Sequence, residues 1–245
     1  MKTSRPNNIN RSANALICFI IYIVFNLIFI KYWYYINGAL FIFDEIITGF
    51  RFHLSGAQKY FNVTPDLATF GKGIANGYPL SVLAGKKKYM NIVEDIFFSG
   101  TFGGETLSIA AAIASIDKYK KHNVVAHLET QGKKIIKGTE NLIEKNSLSN
   151  YLSISGHPSW SFINFLPNKK IPPLSIKTLF IQEVLKRGIY ALGSHNLSYS
   201  HTNQDIKKLL SCYKEVFSIL AQALNKGDIS KYLECDPIKP LFKVR

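Results

Sequence analysis

Two ionisable residues stand where folding alone does not require a charge, and the first of them is Asp44. It ends the apolar run ALFIF at 39–43, which is typical of a short strand covered on both faces in a parallel sheet. Because ligands of open α/β sheets bind at the carboxyl ends of strands, a carboxylate here is placed to meet a ligand. The alternative is a helix N-cap, since Asp followed by Glu45 often begins a helix after a strand.

The second residue is Lys72, which stands between Gly71 and Gly73 just after a candidate strand at 67–70. Desolvation in a tight, partly apolar loop favours the neutral, nucleophilic form of a lysine amine. The alternative is a solvated surface lysine, in a chain with 30 Lys and Arg residues. The segment 71–77 does not fit a nucleotide-binding loop, because its third glycine comes one residue late and no Lys-Ser or Lys-Thr pair follows.

Both residues lie in a longer stretch, 38–85, that carries a family pattern. Its matching segments are DEIITGFR at 44–51, GAQ at 56–58, VTPDL at 63–67 and GK at 71–72, followed by SGT at 99–101. From about Asn37 to the C-terminus the chain resembles the class III family of pyridoxal-phosphate-dependent aminotransferases. Within that family it is most similar to glutamate-1-semialdehyde 2,1-aminomutase and its relatives, since Ile47 stands where many other members carry a glutamine.

The resemblance implies a fold-type I α/β transferase with pyridoxal 5'-phosphate as its cofactor. Lys72 would form the Schiff base and shuttle a proton, while Asp44 would keep the ring nitrogen protonated. Ile46 would pack on one face of the ring. Thr101 would reach the cofactor phosphate of a neighbouring subunit, which implies a homodimer with sites at its interface. The substrate would be a small amino acid or amino-aldehyde, transformed by a transaminase or an aminomutase.

The turn that carries Thr101 is glycine-rich, at 97–104, and precedes an alanine-rich helix predicted at 105–119. Free backbone N–H groups at a helix N-terminus form a ready anion site. An ordinary helix cap is the simpler explanation of this turn taken alone.

The sequence predicts four segments. Residues 1–36 are a basic and then hydrophobic N-terminal segment, and 37–123 form the C-terminal part of the cofactor-binding large domain. Residues 124–225 form a small α+β domain, and 226–245 are a polar tail. Further strands are predicted at 80–84, 151–155, 161–165 and 189–192, and further helices at 124–145, at 175–187 and from Thr202 onward.

The last predicted helix has one apolar face. That face consists of Ile206, Leu209, Leu210, Tyr213, Val216, Phe217, Leu220 and Leu224. His195 and His201 lie near the strand that borders the substrate in relatives, but we assign structural roles to both.

The N-terminal segment has three explanations. Residues 15–30 are uncharged and apolar, and extension to 36 gives about 22 residues, or roughly 33 Å of helix, enough to cross a bilayer. The resemblance instead implies a long preceding portion of the large domain that has no counterpart here. A truncated copy with a non-native start is then favoured over a membrane anchor, because a strand removed from a parallel sheet needs its neighbours. A globular core helix is the third explanation.

Charge and cysteine content limit the kinds of partner and site that the chain is expected to have. The net charge is +14 and the isoelectric point about 9.6, but the basic residues are scattered in pairs and triples, which does not favour a nucleic-acid partner. Cys18, Cys212 and Cys235 show neither metal-ligand spacing nor a disulfide framework, and we expect no metal and a reducing, cytoplasmic location. The predicted function is a transaminase or aminomutase; the alternative is a non-catalytic remnant, which residues 15–36 could tether to a membrane.

Overall fold

The computed structural model describes residues 26–97, 99–168 and 170–239. Residues 26–36 are helical, and the chain divides into two compact units between His122 and Asn123. Nothing in these described ranges forms a helix with the length and apolar character needed to cross a membrane. The membrane-anchor alternative was based on the apolar run at 15–30, and residues 15–25 of that run lie outside the described residues.

The first unit contains a three-stranded sheet in the order β1-β2-β3. Strands β1 (Ile42–Asp44) and β2 (Leu67–Phe70) are parallel, with Asp44 opposite Thr69. Strand β3 (Val82–Gly85) runs antiparallel to β2. The strand predicted at 67–70 is confirmed, whereas β1 begins later and β3 lies slightly further along the chain than predicted.

Besides the helical residues 26–36, the described part of this unit contains the α-helices α1 (Gly56–Tyr60), α2 (Lys87–Met90) and α3 (Thr106–Lys121). Glu105 caps α3, because its carboxylate accepts hydrogen bonds from the N–H groups of Leu107 at 2.8 Å and Ser108 at 2.7 Å. The buried Ala112 of α3 joins Ile74 and Ala75 in a small apolar core. Helix α3 is thereby packed against the loop that follows β2.

One face of the sheet is open. Paired residues point to the same side, so Ile42, Asp44 and Leu83 share a face. On that face Ile42 is 53% and Leu83 48% exposed, so the expectation that β1 is covered on both sides is wrong for the described residues. Within the described ranges β1 is an edge strand that pairs only with β2, whereas the rule that predicted two covered faces applies to the central strands of a complete parallel sheet.

The second unit packs three helices on an antiparallel sheet. Its elements are α4 (Val124–Lys145), β4 (Leu152–His157), β5 (Trp160–Phe165), α5 (Pro173–Lys186), β6 (Ser194–Asn196) and α6 (Asn203–Asn225), with the strands in the order β4-β5-β6. The largest fully buried side chains are those of Tyr213, Phe180 and Phe217. Helices α5 and α6 therefore supply the aromatic centre of this unit.

The predicted start of α6 is confirmed by a capping box. The Thr202 hydroxyl accepts from the Asp205 N–H, and the Asp205 carboxylate accepts from the Thr202 N–H at 2.8 Å. The predicted apolar face also holds, since six of its side chains are buried: Ile206, Tyr213, Val216, Phe217, Leu220 and Leu224.

The strand predicted at 189–192 is wrong. Gly188 and Gly193 have φ values of +70° and +86°, and they bracket a connection that buries Ala191 in the core. Pairing with β5 begins only where the Gly193 carbonyl accepts from the Ile163 N–H at 2.7 Å. Of this segment only Ala191 is buried, whereas Tyr190 is 80% and Leu192 44% exposed. A short hydrophobic run does not distinguish such a loop from a strand.

His195 lies buried on β6 between two hydroxyl groups, which supports its structural assignment. Its Nδ1 lies 3.0 Å from Ser161 Oγ and its Nε2 lies 2.8 Å from Tyr213 Oη. A neutral imidazole satisfies both neighbours by donating one hydrogen bond and accepting the other. Burial lowers the pKa of His195 to about 4 from its usual 6.5.

This burial predicts a pH-dependent stability. Between about pH 6.5 and pH 4 the unfolded chain binds a proton at His195 that the folded chain does not, so the free energy of unfolding should fall as the pH falls. The loss attributable to this group is at most about 3 kcal/mol. Urea unfolding at pH 7, 6 and 5 measures it, with His195→Gln as the control that should flatten the slope. An equally steep slope in the variant would contradict the assignment.

Candidate active site

Asp44 lies at the carboxyl end of β1 with its side chain exposed. Its Oδ1 accepts from the Ile46 N–H at 3.0 Å and from the Thr69 hydroxyl at 3.3 Å. Within the described part of the chain no hydrogen bond reaches Oδ2. The helix N-cap alternative is wrong, because the residues after Asp44 form a turn. One carboxylate oxygen is therefore held in place and the other is available to a ligand.

Glu45 is a buried residue whose role the sequence did not reveal. Its carboxylate accepts from the N–H groups of Ala57 at 2.8 Å and Gln58 at 2.9 Å, and from the Thr48 hydroxyl. Gly56 has a φ of +77°, and a Cβ there would lie 2.4 Å from a Glu45 carboxylate oxygen. Glu45 thus ties the turn behind Asp44 to the start of α1, and no spacing rule indicates such a contact.

Lys72 begins the short 3₁₀ turn Lys72–Ile74 that follows β2. Its φ is 42°, in the left-handed region, which costs a residue with a Cβ about 1–2 kcal/mol and must be stabilised by its surroundings. The side chain is exposed, and no hydrogen bond or ion pair from the described residues engages its amine. The burial that the sequence predicted for this lysine is therefore absent from the described structure.

The fold brings three of the four predicted site residues to one edge. Asp44 is the last residue of β1 and pairs with Thr69, and Lys72 follows Thr69 three residues later. Both therefore lie at the carboxyl ends of adjacent parallel strands. The half-buried Ile46 places its γ-carbons 3.5 and 3.7 Å from the position of a Cβ on Gly71. Ile46 therefore lies directly beside the residue that precedes Lys72.

Thr101 lies in an exposed turn ahead of α3. The turn is closed by a 2.9 Å hydrogen bond from the Gly103 N–H to the Gly100 carbonyl. In the described ranges no hydrogen bond links Thr101 to Asp44 or Lys72. Among the described residues of this unit, hydrogen bonds therefore do not connect Thr101 to the other predicted site residues.

The described residues were also compared with two other kinds of site, a cavity and a metal centre, neither of which coincides with this edge. A cavity of about 320 Å³ lies at Leu67 and Gly85, at the end of β2 opposite to Lys72, beside the 2.6 Å ion pair of Asp66 and Lys86. The hydrogen bond from Lys86 lowers the pKa of Asp66. No cluster of His, Cys, Asp or Glu among the described residues has the composition to hold a metal ion. Neither feature belongs to the edge formed by Asp44 and Lys72.

Comparison with known proteins decides the family. The aminotransferase class-III family profile matches residues 30–203, which is well over half of the chain. The chain belongs to the class III aminotransferase family. This confirms the resemblance predicted from the segments around Asp44 and Lys72.

The class III chain has curated relatives of two kinds. It is 32% identical over 180 residues to 3-aminobutyryl-CoA aminotransferase of Cloacimonas acidaminovorans, covering 72% of this chain and 43% of the relative. It is 32% identical over 206 residues to glutamate-1-semialdehyde 2,1-aminomutase of Fusobacterium nucleatum, covering 78% and 47%. The class III chain thus spans less than half the length of these relatives.

Solved structures give the same fold. The PLP internal aldimine form of the FumI protein of Sphingopyxis sp. MTA144 aligns with a TM-score of 0.72 and 27% identity, covering 80% of this chain and 46% of that one. An omega-transaminase from Sphaerobacter thermophilus aligns with a TM-score of 0.69 and 19% identity, over 79% and 47%. The predicted fold-type I α/β class is confirmed, as a partial domain of this class III member.

Proposed function

We propose that this chain carries the lysine and the carboxylate of a pyridoxal-phosphate-dependent transaminase or aminomutase site. Its substrate would be a small amino acid or amino-aldehyde. The observation that carries the proposal is the placement of an available Asp44 carboxylate oxygen and an unengaged Lys72 amine at the carboxyl ends of two adjacent parallel strands. The family and the cofactor of the FumI protein support the choice of cofactor.

The residues at this edge fit the chemistry of that cofactor. Pyridoxal phosphate, when bound, supplies an electron sink for charge that develops on a substrate carbon. Asp44 Oδ2 would accept a hydrogen bond from the ring nitrogen and keep it protonated, while the two bonds to Oδ1 fix the carboxylate.

Lys72 has a covalent role and a proton-transfer role in this proposal. Its Nζ would hold the cofactor through the aldehyde carbon and, once displaced by the substrate amine, would take a proton from one carbon and return it to another. A flexible, unpaired amine on a four-carbon stem suits both tasks.

Ile46 and Thr101 have supporting roles in the same proposal. Ile46, which lies beside Gly71, would pack on one face of the ring. Thr101, in its exposed turn, would contact the cofactor phosphate of a second copy of the chain, so the active unit would be a homodimer. The exposed apolar residues near this turn, Leu107 at 66% and Ile113 at 58%, support an interface on α3.

A non-catalytic chain that binds the cofactor weakly is the competing function. It is favoured by the open face at Ile42 and Leu83 and by the exposure of Lys72, because a site open to water loses the low dielectric that strengthens its interactions. The match covers 43% of the 3-aminobutyryl-CoA aminotransferase and 47% of the glutamate-1-semialdehyde 2,1-aminomutase.

Absorbance measurements on the purified chain separate the two functions. With added pyridoxal phosphate, a catalytic site should give a yellow protein that keeps its absorbance band after desalting. Reduction with hydride should then abolish this band. A chain that is incubated with excess cofactor and is colourless after desalting would refute the proposed function.

A further inference from the structure

Tyr119 of α3 connects the two segments that carry the proposed site. Its hydroxyl donates a hydrogen bond to the Gly73 carbonyl at 3.2 Å, across 46 positions of sequence. Its ring stacks on that of Phe50, with centroids 5.5 Å apart and planes 23° from parallel. One half-buried side chain thus contacts both the loop of Lys72 and the segment that follows Asp44.

The two segments that Tyr119 contacts both contain left-handed backbone. Lys72 has a φ of 42° and Phe50 a φ of 60°, conformations that residues with a Cβ adopt only under local constraint. The turn supplies part of that constraint, through the 2.9 Å bond from the Asn76 N–H to the Lys72 carbonyl. Tyr119 supplies the contact from outside the turn.

Space around Gly73 is limited by the same tyrosine. A Cβ on Gly73 would lie 3.3 Å from the Tyr119 hydroxyl oxygen, so a larger residue would press the hydroxyl away from its acceptor. Burial raises the pKa of Tyr119, with the Arg51 charge acting in the opposite direction, so the hydroxyl keeps its proton and remains a donor at neutral pH.

We propose that Tyr119 is a positioning residue, whose hydrogen bond to the Gly73 carbonyl holds the Lys72 backbone so that the amine is presented at the strand ends. This inference rests on the proposed function, in which Lys72 binds pyridoxal phosphate. It predicts that Lys72 reacts with the cofactor in preference to other exposed lysines such as Lys87, and that the preference depends on one hydroxyl group.

Hydride trapping tests this preference in the full chain. The protein is mixed with limiting pyridoxal phosphate, reduced and digested, and the ratio of label on Lys72 to label on Lys87 is measured by mass spectrometry. Tyr119→Phe should lower this ratio roughly fivefold, the factor expected for the loss of one hydrogen bond. Tyr78→Phe is the matched control, because it removes an exposed hydroxyl from the loop that contains Lys72. It should leave the ratio unchanged.

A purely structural role for Tyr119 would lower the unfolding temperature without changing the labelling ratio, and that result would overturn the inference. If Tyr119→Phe does not fold, Gly73→Ala tests the same contact and should lower the ratio as well. An unchanged ratio in Gly73→Ala would also contradict the inference. A wild-type chain that shows no preference for Lys72 would refute the proposed function itself, and the inference would fall with it.

Discussion

Replacement of Lys72 with alanine should abolish the cofactor absorbance band of the chain completely. The expected loss is total because the substitution removes the only atom in the proposed mechanism that forms the covalent link. The backbone should tolerate the change, because the substitution removes none of the turn's backbone hydrogen bonds. The carbonyl of residue 72 can still accept from the Asn76 N–H. The effect is measured as the absorbance of the protein after incubation with excess pyridoxal phosphate and desalting.

Lys87→Ala is the control for this experiment. Lys87 is an exposed lysine of the same unit and begins the short helix α2, away from the carboxyl ends of β1 and β2. Its loss should leave the band intact. A band that survives in the Lys72 variant at wild-type intensity would show that other lysines form the link, and it would remove Lys72 from the mechanism.

Gly132→Ala should destabilise the second unit more than any surface substitution. A Cβ at this position of α4 would lie 1.8 Å from the Pro158 carbonyl oxygen and 2.3 Å from its carbon. Backbone atoms cannot rotate away, so the helix and the turn between β4 and β5 must separate. We expect a loss of about 3 kcal/mol or more, which exceeds the helix-propensity gain of about 1 kcal/mol from alanine.

Gly138→Ala, in the same helix, is the matched control. There a Cβ would meet the two terminal methyl carbons of Leu210 at 2.6 and 2.7 Å, and that half-buried side chain can change its rotamer. Urea unfolding of both variants should show a much smaller loss for Gly138→Ala. Equal losses would contradict the conclusion that backbone contact at Pro158 makes Gly132 indispensable.

Sequence patterns over a few residues correctly predicted several helices, strands and caps, because these depend on residues that are close in sequence. The helix at 124–145 and the strand at 67–70 have the predicted bounds, and the Thr202 capping box forms as its sequence indicates. These features arise from periodicity, turn residues and hydrogen bonds across a few positions. The placement of Asp44 at the end of a strand was predictable for the same reason.

Features that depend on distant residues could not be predicted in this way. The buried Glu45 carboxylate, the contact of Tyr119 with Gly73 and the close approach of Gly132 to Pro158 each join segments far apart in sequence. The exposed face at Ile42 could not be predicted either. An apolar strand sequence indicates that both faces should be buried, but it does not show whether other elements pack against them.

A crystal structure of the chain with bound pyridoxal phosphate is the most direct test of the central claim. We predict continuous density from Lys72 Nζ to the aldehyde carbon, and Asp44 Oδ2 within hydrogen-bonding distance of the ring nitrogen. Cofactor joined to a different lysine, or a ring nitrogen remote from Asp44, would contradict the assignment of this edge as the active site.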